Sequence, residues 1–520
     1  MFQRKIYIDI TSFFNTDFMS GIQRVVREVT IRLLKMPELK VVLFTWKNDE
    51  RDFTLIDTDD YLRCYDEGTV AKKDIRTKGK LNPKFLSKNA VFFDIDALWN
   101  NNCHARKDVY CFLRKKNIAI VSYVHDIIPI THSEFWGEYL DLGFYDYVSA
   151  ILRYSDALIT SANATVSEIS IIANKMGVAL PYCTVSWLGS DFKKKSIDEK
   201  ISDKAKAAVS KGKYILCVGT IEPRKNHKIV LDAFDDKLSE LGLNLIFAGR
   251  RGWNINDLLS RIDSHPKKDN GFWFLENEND ATIQYLYKNA YSVVFPTFDE
   301  GFGLPLVEGL LNGTVCIASD IPVMREVGGD ACEYFNPYKN SELVDLIKKY
   351  LSKQEVYEKR QEIVKGYKTV LWDEVVDKIK NVLVSQKKDT KREKKMKDIS
   401  VSQIMQEIRK EIEKKGYSAN DLKFSEALAQ PETGLDVGKL NCAIAMAQAS
   451  CYVDMYAPIN GGKCKTFIKK VLRKFIRPIF MFQAQRQTTF NENATISIIQ
   501  LERYVSELEK RIEKLEQSKR

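Results

Sequence analysis

Two acidic side chains enclose a glycine-containing turn in "FPTFDEGFGLPLVEGL", residues 295–310. Glu300 precedes the turn, and Glu308 falls about two helical turns later. The glycines let backbone N–H groups approach a ligand closely, and the helix that begins near Pro305 directs its positive end to the same place. The pattern predicts a bound anion such as a phosphate, with Glu300 beside it and Glu308 placed to accept hydrogen bonds from hydroxyl groups. Alone, two such acids are better explained as surface residues of an ordinary strand and helix.

A second cluster, "CVGTIEPRKNH" at residues 217–227, follows the apolar run "KYILCVG". Its cations, Arg224 and Lys225, stand where a loop becomes a helix. Two cations beside a helix N-terminus make a clamp for a diphosphate. Although Arg–Lys pairs on loops are usually solvent-exposed charges, this position at the end of a strand favours a binding role.

The elements that must position these clusters are short apolar runs alternating with helical patterns through the first 385 residues. The runs are "KIYIDI", "KVVLFTW", "AVFFDI", "IAIVSYV", "DALITSA", "CTVSWLG", "KYILCVG", "NLIFAG", "FWFLE", "YSVVFP" and "VCIAS". Such strands predict doubly wound α/β sheets, and the charged stretch 191–213 divides six of them from five. We therefore expect two Rossmann-like domains, over 1–195 and 211–385, with ligands bound in a cleft at the carboxyl ends of their strands.

Composition excludes several classes of protein. A chain of 520 residues needs more than one core, and 44% apolar with 11% aromatic residues is too rich for a disordered protein. The 10 cysteines include no C-x-x-C pair, which favours free thiols in a reducing compartment over a disulfide framework or a zinc site. Without a signal peptide at "MFQRKIYIDI" or an apolar run long enough to span a bilayer, we expect a cytosolic protein.

The net charge of +10 lies in the tail, since residues 386–520 hold 27 Lys and Arg against 17 Asp and Glu. We predict a charged linker over 386–400 and a helical region over 401–486, with a basic amphipathic helix at 463–486. This helix reads equally well as an interfacial membrane helix or as a helix docked on the body of the protein. Apolar residues then recur in heptads through 494–518, which predicts a coiled coil with a partner helix or a second copy. The heptad positions are Ala494, Ile498, Leu501, Val505, Leu508, Ile512 and Leu515.

"TIEPRKNH" followed by "FDEGFGLPLVEGL" resembles the donor-binding half of glycosyltransferase family 4, whose members are retaining, metal-independent enzymes of the GT-B fold. The resemblance covers roughly residues 1–385 and implies that the first domain is the acceptor side and the second binds a nucleotide sugar. It also implies roles for the clusters: Arg224 and Lys225 hold the donor diphosphate, Glu300 lies at the transferred sugar, and Glu308 binds the nucleotide ribose.

The first half carries matching signals. "SGIQRVVREV" resembles the family's glycine loop, with Gly21 near the donor phosphate, and "SYVHDIIPI" places His125 where the family's histidine hydrogen-bonds the donor sugar. His125 and Glu300 are therefore the predicted catalytic residues. The predicted donor-binding residues are Gly21, Gly219, Arg224, Lys225, Phe302, Gly303, Leu304 and Glu308.

One motif favours a different class of enzyme. "FFDIDALW" contains Asp94-x-Asp96, the pattern by which metal-dependent GT-A transferases bind manganese. Because a GT-A fold would leave "EPRKNH" and the glutamate pair unexplained, we favour a structural role for these aspartates and predict no metal and no other cofactor.

The resulting hypothesis is a hexosyltransferase of bacterial surface polysaccharide synthesis, with GDP-mannose as the first donor expected. Its partners would be a lipid-linked or oligosaccharide acceptor, the cytoplasmic face of the inner membrane, and a coiled-coil copy or another polysaccharide enzyme, with no nucleic acid. Glu300 would either orient the sugar or attack it. The alternative is a non-catalytic assembly subunit, an inactive transferase fold that recruits other enzymes through its tail.

Overall fold

The computed structural model describes residues 4–17, 19–47, 52–81, 86–87, 89–100, 106–132, 135, 138–190 and 200–387. The predicted linker beyond residue 387, the helical region, the basic helix 463–486 and the coiled coil 494–518 lie outside these residues. Within them, no helix has the length and apolar character needed to cross a membrane.

The first part of the chain folds around an eight-stranded sheet. Its strands are β1 (Arg4–Asp9), β2 (Leu39–Lys47), β3 (Asp52–Ile56), β4 (Thr77–Lys80), β5 (Val91–Asp94), β6 (Ala119–Val124), β7 (Ala157–Thr160) and β8 (Tyr182–Val185). Their order is β4-β3-β2-β1-β5-β6-β7-β8, parallel from β2 to β8 with β3 and β4 antiparallel at one edge. The helices are α1 (Thr11–Asn15), α2 (Gly21–Leu34), α3 (Thr58–Leu62), α4 (Arg106–Lys115), α5 (Ile128–Thr131), α6 (Glu138–Tyr154) and α7 (Asn163–Lys175).

The second part folds around a six-stranded, fully parallel sheet in the order β11-β10-β9-β12-β13-β14. These strands are β9 (Tyr214–Val218), β10 (Asn244–Gly249), β11 (Phe272–Glu276), β12 (Ser292–Phe295), β13 (Cys316–Ser319) and β14 (Cys332–Phe335). The helices are α8 (Asp203–Ser210), α9 (His227–Ala233), α10 (Asn256–Asp263), α11 (Asp280–Asn289), α12 (Leu304–Leu311), α13 (Pro322–Gly328), α14 (Asn340–Ser352), α15 (Gln354–Lys365) and α16 (Trp372–Ser385). The expected α/β class with two parallel sheets is confirmed.

The strand count differs from the prediction of six and five. The eleven apolar runs all form strands. Strands β3, β4 and β14 were not predicted, because none of them contains a continuous apolar run. The clearest case is β4, whose sequence "TKGK" is exposed at every position, so its pairing with β3 carries no hydrophobic signal.

Helix α16 packs on the first domain, whereas the sequence pattern assigned it to the second. Trp372 at its start is 1% exposed and lies so close to Gly189 that a Cβ on that glycine would come within 2.6 Å of the indole. Arg32 of α2 donates from Nε to Asp373 over 2.7 Å. The period of α16 gives it an apolar face but does not tell which sheet that face covers, and this is why the assignment failed.

A carboxylate of the second domain caps a helix of the first. Helix α7 has no side-chain cap of its own, since Ala162 occupies the N-cap. Glu326 of α13 instead accepts the backbone N–H groups of Asn163 and Ala164, over 2.8 and 3.1 Å, and the indole N–H of Trp187 over 3.3 Å. This contact places a negative charge at the positive end of α7 and ties the two domains together.

Two glycines allow the ends of β9 and β10 to meet. Gly219 has a φ of 147°, and its N–H donates to Ala248 over 2.9 Å. A Cβ on Gly249 would lie 1.9 Å from the Gly219 carbonyl oxygen, a distance that no side chain can occupy. The loop leaving β9 is therefore fixed by backbone packing.

Gly249→Ala should destabilise the chain by about 1–3 kcal/mol, because the new methyl group must push apart two backbone segments. Gly143→Ala is the matched control: nothing lies within 4 Å of a Cβ at Gly143 in helix α6, where alanine is favoured over glycine by about 0.5–1 kcal/mol. Urea unfolding measures both. Equal midpoints for the two variants would contradict the close approach of β9 and β10.

Candidate active site

The two predicted clusters meet at the carboxyl edge of the second sheet. Arg224 and Lys225 lie in the 3-10 turn Pro223–Lys225 after β9, and Glu300 lies in the loop after β12, the strand next to β9. The Arg224 carbonyl accepts the backbone N–H of Phe298 over 2.9 Å, which joins the two loops. Parallel strands thus bring residues 75 positions apart in the chain into one cluster.

The Glu300 carboxylate lies between the two cations. Its Oε1 is 2.6 Å from Nη1 of Arg224 and accepts a hydrogen bond from Nζ of Lys225. Arg224 also donates to the Glu222 carboxylate over 2.7 Å and to the Asp299 carbonyl over 2.8 Å. The guanidinium is therefore held in one orientation by three acceptors.

The buried position of this cluster changes how its members titrate. Burial alone would raise the pKa of the Glu300 carboxyl, but Arg224 and Lys225 hold that pKa below its usual range. Burial lowers the pKa of the Lys225 ammonium, and the attraction of Glu300 offsets only part of the effect. Glu300 is accordingly ionised near neutral pH.

Backbone of the first domain closes over the Glu300 loop. A Cβ on Gly301 would lie 2.3 Å from the His125 carbonyl oxygen, so only glycine fits there. Ser161, after β7, donates from its hydroxyl to the Gly301 carbonyl over 2.8 Å. The carboxyl ends of strands from both sheets thus meet at Gly301, with His125 and Glu300 on either side of the contact.

His125 is buried with its imidazole directed at the first sheet. Its Nε2 lies 2.7 Å from the Ile95 carbonyl oxygen. Burial lowers the pKa of the ring to about 4, although the Ile95 carbonyl opposes this shift. Because a carbonyl can only accept, Nε2 carries the proton of the neutral ring and Nδ1 remains as a hydrogen-bond acceptor.

Two further carboxyl groups adjoin the cluster. Burial raises the pKa of Asp126 to about 6, against the attraction of Arg224, and burial also raises the pKa of Asp299. The Asp299 oxygens are occupied: Oδ1 accepts the Glu300 N–H over 2.7 Å, and Oδ2 lies 3.5 Å from the His132 ring. Asp126 accepts the Ile128 N–H at Oδ1 over 3.1 Å.

Glu308, the second predicted glutamate, bridges the two domains. It is buried in α12, where Oε1 lies 2.5 Å from Nη1 of Arg24 and Oε2 accepts the Tyr287 hydroxyl over 3.2 Å. Arg24 lies in the first turn of α2, which begins at Gly21. The predicted residues Gly21 and Glu308 are thereby brought to the same part of the cleft.

The remaining predicted residues lie at the loop ends. Gly303 has a φ of 93° and forms the N-cap of α12, so Phe302 and Leu304 lie on the turn that leads into this helix. Gly219 lies at the end of β9, five residues before Arg224. No contact of Gly219 with the charged cluster is seen among the described residues, so its predicted role rests on sequence alone.

Asp94 and Asp96 are engaged inside the first domain. Asp94 accepts the Tyr110 hydroxyl and lies 3.5 Å from Nε of Arg106. Asp96 accepts the backbone N–H groups of Phe13 and Ala97 over 2.8 and 2.7 Å. These contacts support the structural role favoured from the sequence.

Three residues of the candidate site were not predicted from the sequence. Asp126 is the sequence neighbour of His125, Asp299 is the neighbour of Glu300, and Arg24 follows Gly21 by three positions. Adjacency to a predicted site residue was the available signal, but partners such as Glu308 for Arg24 are 284 positions distant.

Solved structures share this arrangement of two domains. The complex of Anabaena Alr3699/HepE with UDP and glucose matches at a TM-score of 0.50 and 15% identity, covering 74% of this chain and 100% of that one. Sucrose-phosphate synthase from Thermosynechococcus elongatus matches at a TM-score of 0.51 and 15% identity, covering 73% and 98%. At such identities the likeness concerns the fold, which is of the GT-B type.

Two mannosyltransferases of Escherichia coli are similar to this chain in sequence. The serotype-specific mannosyltransferase WbdA of Escherichia coli is 28% identical over 365 residues, which cover 67% of this chain and 43% of WbdA. The O-antigen chain mannosyltransferase B of Escherichia coli is 36% identical over 120 residues, 23% of this chain and 31% of that protein. The chain thus spans less than half the length of these relatives. Residues 198–370, which form most of the second α/β domain, match the family model described as Glycosyl transferases group 1, and the chain is similar in sequence to these mannosyltransferases.

Proposed function

We propose that this chain transfers a hexose, with mannose from GDP-mannose as the first expectation, to a growing bacterial surface polysaccharide, with retention and without a metal. The observation that carries the proposal is the buried ion cluster of Arg224, Lys225 and Glu300, which faces His125 across the closed cleft. The mannosyltransferase relatives support the choice of sugar.

The cluster supplies what departure of a diphosphate requires. Charge develops on the phosphate oxygens as the sugar leaves, and fixed cations in a site screened from water stabilise it. Arg224 and Lys225 already hold one carboxylate, and donor oxygens bound beside them would compete with Glu300 for the same N–H groups. The N–H groups at the start of α12 add a second source of positive potential.

Donor recognition then divides between the two glutamates. Glu300, released from part of its pairing, would contact the transferred sugar, while Nδ1 of His125 would accept a hydrogen bond from a sugar hydroxyl. Glu308 would bind the ribose hydroxyls. Its carboxylate would then interact with the ribose as well as with Arg24 and Tyr287.

We also propose that the acceptor is lipid-linked or an oligosaccharide and that the chain works at the cytoplasmic face of the inner membrane. The support is the basic, apolar-striped sequence of 463–486, since each Lys or Arg near an anionic bilayer contributes about 1 kcal/mol of attraction.

Lys225→Ala should weaken GDP-mannose binding by about 10- to 150-fold, because it removes a charge-assisted contact worth about 1.5–3 kcal/mol. Lys228→Ala is the matched control three residues later, where the exposed lysine pairs with Asp232 in its own helix. Titration calorimetry with GDP-, UDP- and dTDP-sugars measures the affinities and identifies the nucleobase. Equal donor affinities for both variants would place the diphosphate elsewhere.

The glutamates should separate in steady-state kinetics. Glu308→Gln should chiefly raise the donor KM, since it acts on the nucleotide, whereas Glu300→Gln should chiefly lower kcat, since it acts at the reacting sugar. The opposite pattern would reverse the two assignments. If wild-type chain transfers no sugar from any of these donors, the non-catalytic assembly subunit becomes the better hypothesis.

Transfer should continue in excess EDTA, because the two cations would replace a metal at the diphosphate. The assay compares the initial rate before and after chelation, with nuclear magnetic resonance of the product to establish the anomeric configuration. A different outcome would support a metal site at Asp94-x-Asp96: activity is lost in EDTA, manganese restores it, and the Asp96→Ala variant is inactive even with manganese.

A further inference from the structure

We propose that Asp126 is a catalytic residue that takes the proton from the acceptor hydroxyl during transfer. The inference rests on the proposed function and assigns a role to a side chain that the sequence analysis left without one. Its basis is the position of Asp126 at the meeting point of the two domains and the engagement of the neighbouring bases.

The position of Asp126 is fixed from both sides. It follows His125 at the carboxyl end of β6, and its Cβ would be 3.2 Å from a Cβ on Gly301. It therefore belongs to the first domain, the expected acceptor side, yet lies against the loop that holds Glu300. With the donor sugar beside Glu300 as proposed, an acceptor hydroxyl that approaches from the first domain would lie near this carboxyl group.

One oxygen of this half-buried side chain is fixed and the other is available. Oδ1 accepts the N–H of Ile128 over 3.1 Å, which orients the carboxyl group. Oδ2 makes no hydrogen bond to any residue that the structure describes. A fixed carboxylate with one unused oxygen can accept a proton without rearrangement.

The neighbouring bases are less suited. His125 donates from Nε2 to the Ile95 carbonyl, and burial lowers the pKa of its ring to about 4, so the neutral ring does not hold a second proton near neutral pH. Glu300 is shared between two cations, and Asp299 is bound at both oxygens. Of these four groups, Asp126 combines an open oxygen with a pKa of about 6, close to the pH at which a general base works well.

The charged groups that act on Asp126 come from three elements. Arg224 in the turn after β9 favours its ionised form, whereas Asp299 and Glu300 after β12 oppose that form. Lys225 and Glu222 adjoin Arg224, and His132 after α5 adjoins Asp299. Ionised Asp126 is the active form, so transfer should slow as the pH falls through about 6.

The acceptor oxygen forms a bond to the anomeric carbon on the same face from which the phosphate departs, which retains the configuration. The bond from that carbon to the phosphate oxygen breaks, and its electron pair remains on the phosphate. The hydroxyl proton moves to Oδ2 of Asp126 and then to solvent. The phosphate, stabilised by Arg224 and Lys225, leaves without having to take this proton.

Asp126→Asn tests the assignment in the full chain, with Asp108→Asn, an exposed residue in the first turn of α4, as the matched control. With GDP-mannose and a mannose disaccharide, kcat should fall about 100-fold or more in Asp126→Asn, as expected for loss of a general base, and should be unchanged in Asp108→Asn. Donor affinity should be retained, because no positive contact to the diphosphate is removed. The decline of wild-type rate below about pH 6 should disappear in Asp126→Asn.

Other results overturn the proposal. Wild-type kcat in Asp126→Asn would mean that the leaving phosphate takes the proton. Parallel losses of donor affinity and rate, with the acid limb unchanged, would mean a structural role. If wild-type chain and Asp126→Asn transfer sugar at the same rate, this inference alone is refuted. If wild-type chain is inactive with every donor, the proposed function and this inference fail together.

Discussion

The carboxylate of Glu300 is shared by Arg224 and Lys225 in a place removed from water, and the rest of the site depends on that pairing. A buried charge is costly unless partners compensate it, so the glutamate and the two cations can be accommodated only together. Glu222 and the Asp299 carbonyl complete the contacts of the guanidinium. The loops after β9 and β12 must therefore keep one relative position, which explains why backbone hydrogen bonds join them.

A second constraint is the approach of two backbones at Gly301. The glycine faces the His125 carbonyl at a distance that excludes any side chain, and its own carbonyl accepts the Ser161 hydroxyl. In the first domain, the carbonyl of Ile95 orients the His125 ring, and Ile95 lies between the two aspartates of the Asp94-x-Asp96 motif. A motif that resembles a metal site thus serves to fix the tautomer of the predicted catalytic histidine.

Sequence reasoning succeeded where chemistry is local and failed where it is distant. Continuous apolar runs such as "YSVVF" identify buried parallel strands because both of their faces are covered. The cations of "EPRKNH" were recognisable because they follow such a strand. The exposed strand β4 and the packing of α16 on the first domain could not be recognised, because neither leaves a local sequence pattern that specifies its partner. The Arg24–Glu308 pair and the raised pKa of Asp126 depend on folded neighbours from the other domain, which no spacing along the chain reveals.

The cap that Glu326 provides for α7 makes the secondary structure of one domain depend on the proximity of the other. If the cleft were to widen, the N–H groups of Asn163 and Ala164 would lose their acceptor, and α7 has no side chain at Ala162 to replace it. A missing cap costs a helix about 1 kcal/mol, so the first turn of α7 would fray when the domains part. Hydrogen exchange at the amides of Asn163 and Ala164, which belong to the first domain, would then report the movement of the second domain away from them. The stability of a single helical turn becomes part of the free energy that holds the two domains together.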